Sequence, residues 1–156
     1  RATGRPLAHY LSETIWQPYG MAADAYWIKD ECDGSNTGGS GLSATLADYA
    51  RLGQFMLEGG RIGGEPVVAA EWMDAAVRGH HPDGAPERGY GYQWWTEPDG
   101  SYSAVGIFGQ MVHVDPSRQL VVAQLAAWPR ATSSELVAAR RNMLEAIKQA
   151  VDGPAR

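Results

Sequence analysis

Apolar residues at Leu7, Tyr10, Leu11 and Ile15 recur at helical spacing, predicting a helix that opens at Pro6 and is stopped by Pro18 and Gly20. From Met21 to Gly41 the period is weak, and the run from Asp33 to Gly41 is rich in residues that permit turns, so a long loop is expected. Thr45-Leu46-Ala47-Asp48 reads as a capping box with Asp in place of Glu. Behind it Tyr49, Leu52, Gly53 and Met56 continue a helical stripe to Gly59-Gly60. Gly63-Gly64 between short apolar pieces predicts a small hairpin over 61–68, and 69–77 around Trp72 a short helix. A polar, Pro-bearing loop follows. Then the period changes to two: Tyr90, Tyr92 and Trp94 alternate, and strands are predicted over 102–108, 110–114 and 120–127, with Pro116 second in the turn joining the last pair. Thr132-Ser133-Ser134-Glu135 is a capping box, followed by an amphipathic helix through Leu136, Arg140, Met143, Leu144, Ile147 and Val151.

Helices first, antiparallel strands next and one covering helix last make an α+β chain. At 156 residues it is read as a single partial domain in three parts. Residues 1–60 form a helical part with a Gly-rich loop, 61–129 a hairpin, a short helix and antiparallel strands, and 130–156 the C-terminal helix. Arg1 stands where an initiator Met would, and a helical pattern begins within a few residues, so the expectation is a piece of a longer protein.

Composition narrows the possibilities. With 44% hydrophobic and 20% charged residues, disorder does not describe the whole chain. The net charge of −5 is spread without blocks, which argues against nucleic acid as a partner. No apolar run approaches the length of a membrane span. Cys32 is the single cysteine, so no internal disulfide and no Cys/His zinc motif is expected, and no cofactor is implied.

A hydrolase needs a nucleophile with an activator, and no serine here is followed three residues later by Lys, nor does Ser40 sit in a Gly-x-Ser-x-Gly elbow. His80 and His81 are adjacent in a loop and lack the spacing of a metal pair, while His113 shares a strand face with Met111 and Asp115. Two segments call for more than packing. Gly38-Gly39-Ser40-Gly41-Leu42-Ser43 lets backbone approach a ligand ahead of a helix N-terminus, or is a flexible loop with an N-cap. In 102–110 the glycines Gly106 and Gly109 interrupt a strand, which is a bend or a place where something lies against the backbone.

The aromatic-x-Ala-x-Gly-x-x-Gly-Gln run from Tyr102 to Gln110, with Val112-His113-Val114-Asp115-Pro116 behind it, resembles the last strand pair of serine hydrolases related to class C β-lactamases and penicillin-binding proteins. Gly41-Leu42-Ser43-Ala44-Thr45 with Asp48 and Leu52-Gly53 resembles the helical part that precedes it. Residues 2–7 and 15–21 are similar to the helix after the family's Tyr-x-Asn motif. The pattern is most like the branch containing 6-aminohexanoate-dimer hydrolase and related carboxylesterases.

This resemblance implies the C-terminal portion of a β-lactamase/transpeptidase-like fold. It also implies an acyl-enzyme mechanism whose Ser-x-x-Lys and Tyr-x-Asn motifs precede Arg1. The third motif, Lys-Thr/Ser-Gly, is replaced by Tyr102, Ser103 and Ala104, which removes the cation that would meet a β-lactam carboxylate and favours an amide or ester substrate. By position, the backbone N–H of Ile107 falls in the oxyanion hole, with Tyr102, Ser103, Ala104, Gly106, Gly109, Ser40 and Ser43 as the expected substrate-binding residues. A bacterial-type protein, cytoplasmic or periplasmic, is implied. The expected partners are the missing N-terminal part of the same enzyme, or a second copy through strands left as edges. Two other readings stand beside this one. The first is a non-catalytic remnant that binds a ligand or a partner half along the glycine-flanked strand. The second is a structural domain whose Trp-rich surface packs on another subunit.

Overall fold

The computed structural model describes residues 3–32, 34–79 and 89–153; His80, His81 and their loop lie outside them. Pro6 stands just ahead of α1 (Leu7–Leu11), which widens into a π-helical turn over Ser12–Trp16. Trp16 is the residue this element buries, its indole N–H donating to Ala23 O at 2.9 Å. The expected long loop contains a short hairpin. β1 (Tyr26–Trp27) pairs antiparallel with β2 (Leu42–Ser43), and a separate bridge joins Lys29 and Asn36 between them. Backbone pairing between the two arms organises a segment whose side chains show no period.

α2 (Leu46–Leu57) begins where predicted, with Thr45 Oγ1 accepting the Asp48 N–H at 3.1 Å. The Asp48 carboxylate reaches outward instead, taking the N–H groups of Ala22 (2.7 Å) and Ala23 (3.1 Å) and so tying the chain after the first helix to α2. β3 (Arg61–Ile62) and β4 (Glu65–Pro66) form the small hairpin, and α3 (Ala70–Ala76) the short helix.

The rest is a five-stranded antiparallel meander: β5 (Gly89–Tyr90), β6 (Trp95–Thr96), β7 (Tyr102–Val105), β8 (Met111–Asp115) and β9 (Leu120–Gln124), adjacent in that order. Tyr90, Tyr92 and Trp94 do not lie on one strand. The chain reverses at Tyr92–Gln93, where Gln93 has φ 69° and Gly91 N–H donates to Trp94 O. Gly91 is forced by packing, since a Cβ there would collide with the backbone of Ala76. Likewise β7 ends at Val105 and not at 108, because Gly106 to Gly109 close a turn. At the next reversal the closing bond runs from Gln119 N to Pro116 O, so Pro116 opens that turn and does not sit second in it.

The pleat sends alternate residues to opposite faces. Tyr102 and Ala104 of β7, with Val112 and Val114 of β8, face α2 and form the core with Phe55, Met56, Met73 and Trp94. α2 comes close enough that a Cβ on Gly53 would lie 2.5 Å from Val121 Cγ1 and 2.9 Å from Val112 Cγ1. The other face carries Ser103, Met111 and His113 and looks toward α4 (Ser134–Asp152) across a groove of about 570 Å³. The capping serine of α4 is Ser133, accepting from Leu136 N, one residue later than the predicted Thr132, which adopts φ 55°.

Candidate functional site

The sheet has one interior strand that runs past its neighbour. β6 pairs with β7 through Trp95–Ser103 and Thr96–Tyr102, and the β5–β6 hairpin then reverses at Tyr92–Gln93. Among the described residues nothing pairs with β7 beyond Ser103 on that side. Antiparallel residues alternate the neighbour to which they direct both N–H and C=O. Glu97 N–H donates to Ser101 O on the β6 side, and Gly106 N–H donates to Gln110 O on the β8 side. Ser101, Ser103 and Val105 therefore address the β6 side, and from Val105 onward that side is open.

The open edge ends in the Gly106–Gln110 turn. Gly109 N–H closes it on Gly106 O at 3.2 Å, and Gly109 takes φ 91°, which glycine adopts without strain. The C=O of Ile107 accepts from Thr132 N at 3.0 Å and that of Phe108 from Trp128 N at 3.1 Å. Gly109 C=O accepts from Gln124 Nε2 at 2.8 Å, and Phe108 N–H donates to Gln110 Oε1 at 3.2 Å. From Gly106 to Gly109 one backbone group is left without a partner among the described residues: the N–H of Ile107. Ile107 is 62% exposed. An unmatched donor at the end of an open strand edge suits an oxygen that is gaining charge.

The other expected site residues are distributed differently. Tyr102 points into the core, its hydroxyl donating to Met56 O, and burial pushes its phenol up to about 12. Ala104 packs against the same core. Ser103 is buried on the opposite face. Side chains of 102–104 thus do not line the open edge, because the pleat turns them above and below the sheet, and their backbone is taken up in pairing with β6 and β8, so the open edge begins at Val105. Gly106 and Gly109 form the turn itself. Ser40 and Ser43 belong to the β1–β2 hairpin, with Ser40 O accepting the Trp27 indole N–H at 2.9 Å. The described contact from this hairpin to the bend before β6 is Gly39 near Gln93.

Two groupings escape a reading of the sequence alone. Ser103 Oγ and His113 Nδ1 lie 2.8 Å apart in the sheet, and His113 Nε2 is buried without a partner among the described residues. A serine beside a histidine invites a nucleophile assignment. This pair, however, faces α4 and not the open edge, and among the described residues no carboxylate orients the second imidazole nitrogen. Nearby, Lys148 bonds Asp99 at 3.0 Å; burial alone would raise the Asp99 carboxyl, but Ser101 and Lys148 hold it at about 2. The second grouping is the set of side chains around the turn, Gln110, Gln124 and Trp128. Each lies near a glycine, but the pairings follow only from the strand register.

The sequence pattern of the beta-lactamases matches residues 1–147. A 6-aminohexanoate-dimer hydrolase of Paenarthrobacter ureafaciens is 29% identical over 97% of this chain, and the chain spans 41% of that relative's length. A solved Bacillus anthracis structure ascribed to the 6-aminohexanoate-dimer hydrolases superposes with a TM-score of 0.84 at 26% identity, covering 99% of this chain and 41% of that one. Simvastatin synthase from Aspergillus terreus, at 18% identity and TM-score 0.68 over 94% of this chain and 50% of its own, shares the fold. The architecture is thus the α+β fold that these proteins share.

Proposed function

The chain belongs to the beta-lactamase family, and from that premise we propose that it is the C-terminal portion of a serine hydrolase that cleaves an amide or ester through an acyl-serine intermediate. Its contribution to the chemistry is the N–H of Ile107, which stabilises the oxyanion formed when the serine attacks. One observation carries this reading: that N–H is the unmatched backbone donor of the turn and stands at the end of an open strand edge. Attack on the acyl carbon moves an electron pair onto the carbonyl oxygen, and a fixed donor meets that charge without reorganising. The serine with its lysine, and the tyrosine of Tyr-x-Asn, come from sequence that precedes this chain, as the family resemblance implies. The relative that is 29% identical is named for hydrolysing a 6-aminohexanoate dimer, which favours an amide substrate. Tyr102, Ser103 and Ala104 supply no cation where the family's third motif has one, so a carboxylate-bearing β-lactam is disfavoured. On this reading the chain by itself is inactive.

The test begins with the preceding sequence, which is expected to carry Ser-x-x-Lys and Tyr-x-Asn. Full-length protein treated with a p-nitrophenyl ester is then expected to gain the acyl mass on that serine. This chain alone, and its Ser103→Ala variant, are expected to match the buffer blank with the same ester. Turnover by this chain that disappears in Ser103→Ala would move the nucleophile to the Ser103–His113 pair and overturn the proposal.

A further inference from the structure

We infer that Gln110, Gln124 and Trp128 are positioning residues that hold the Ile107 N–H in place for the developing oxyanion; the inference rests on the oxyanion reading of Ile107. A hairpin tip with exposed side chains is normally among the more mobile parts of a fold. This tip, with Ile107 62% and Phe108 41% exposed, is nevertheless secured on both sides. Gln110 folds its carboxamide back over the turn, Oε1 accepting the Phe108 N–H at 3.2 Å, so that a Cβ on Gly106 would collide with it. Gln124 reaches across from β9 and donates to Gly109 O at 2.8 Å. Trp128 lies against Gly109 so closely that a Cβ there would collide with the indole, and the backbone N–H of Trp128 donates to Phe108 O at 3.1 Å. Behind the indole, the Arg140 guanidinium from α4 sits 5.2 Å from the ring centroid.

These contacts engage the groups that flank Ile107 and leave its N–H free. Gln110 at the turn's own end, Gln124 of β9 and Trp128 of the segment after β9 thus converge on one short turn, with Arg140 of α4 behind Trp128. A turn that only joined two strands would need none of them, since its closing bonds already run from Gly106 to Gln110 O and from Gly109 to Gly106 O. Fixing the donor matters because a catalytic group misplaced by about 1 Å can cost roughly a hundredfold in rate.

Steady-state kinetics of the full-length protein on one p-nitrophenyl ester, with thermal melting alongside, decide the matter. Gln110→Met keeps the shape and removes the acceptor, Trp128→Ala removes the ring, and Trp128→Phe keeps an aromatic face on Gly109. The expected result is a fall in kcat of about tenfold or more for Gln110→Met and Trp128→Ala at nearly unchanged KM, with Trp128→Phe restoring most of it. A melting temperature that falls while kcat per folded enzyme stays at wild type would show a purely structural role and overturn the inference. The folded Ile107→Pro variant separates the two failures. If it loses kcat while the brace variants keep theirs, the brace is wrong and the oxyanion reading stands. If it keeps kcat, the underlying reading falls.

Discussion

The Oγ of Ser103 lies 2.8 Å from Nδ1 of His113, joining β7 to β8 on the face turned toward α4. His113 is 1% exposed, and burial, helped by the charge of Lys148 and opposed by Asp115 and Asp99, lowers its imidazole to about 4 from the usual 6.5. The folded protein therefore holds His113 neutral where the unfolded chain would protonate it. Between pH 6.5 and 4 the unfolded state binds more protons, so stability falls as pH falls through that window, by up to about 3 kcal/mol in all. Urea midpoints of the folded protein at pH 7 and pH 4.5 should differ for this reason. In His113→Asn the difference should shrink, and an unchanged pH dependence in that variant would assign the titration elsewhere.

Asp48 is fully buried and accepts from Ala22 N, Ala23 N, Thr45 Oγ1 and Arg51 Nη1. Replacing it with Ala strands two backbone donors and loosens the seam between the first helix and α2. The expected loss is about 3 kcal/mol by chemical denaturation, whereas an exposed carboxylate such as Glu58 should cost little on replacement.

Gly53 sits inside α2, where Ala would ordinarily gain about 1 kcal/mol of helix propensity. The predicted Cβ contacts with Val121 and Val112 work against that gain, since overpacking a core typically costs about 1 to 3 kcal/mol. Gly53→Ala should therefore be net destabilising, read as a lower melting temperature. A raised one would mean that β8 and β9 shift apart without penalty.

β9 forms one edge of the sheet, and its run Leu120-Val121-Val122-Ala123-Gln124 carries no charge to discourage pairing. This chain alone should self-associate, seen by light scattering as a mass that rises with concentration. Val122→Lys places a charge on the strand and should shift the population toward monomer. A strictly monomeric wild-type chain at high concentration would contradict the expectation.

Much of the fold was legible because it is written in local periodicity. The stripe from Tyr49 to Met56 and the one from Leu136 to Val151 need nothing beyond 3.6-residue spacing and a capping Ser or Thr. Where long-range pairing decides, the same reading erred. Tyr90, Tyr92 and Trp94 alternate as one strand would, yet the chain reverses between them, because a contact with Ala76 of α3 pins Gly91 and Tyr92. The weak period of 21–41 concealed a hairpin held by backbone bonds. The strand that alternation predicts over 102–108 includes Ile107, which lies in a turn. Its candidacy as a donor came from the Gly-x-x-Gly-Gln resemblance and not from spacing. The contacts of Gln110, Gln124 and Trp128 depend on strand register and on the path after β9, which no local pattern encodes.

The most direct measurement is kcat of the full-length protein with Ile107→Pro beside Ile107→Val, each first shown to be folded by circular dichroism. Proline removes the N–H, and valine keeps it while changing the packing slightly. The account predicts that Ile107→Pro loses about 10²- to 10³-fold in kcat while Ile107→Val stays near wild type. A folded Ile107→Pro enzyme with undiminished kcat would contradict it and reduce the open edge of β7 to a feature of the sheet.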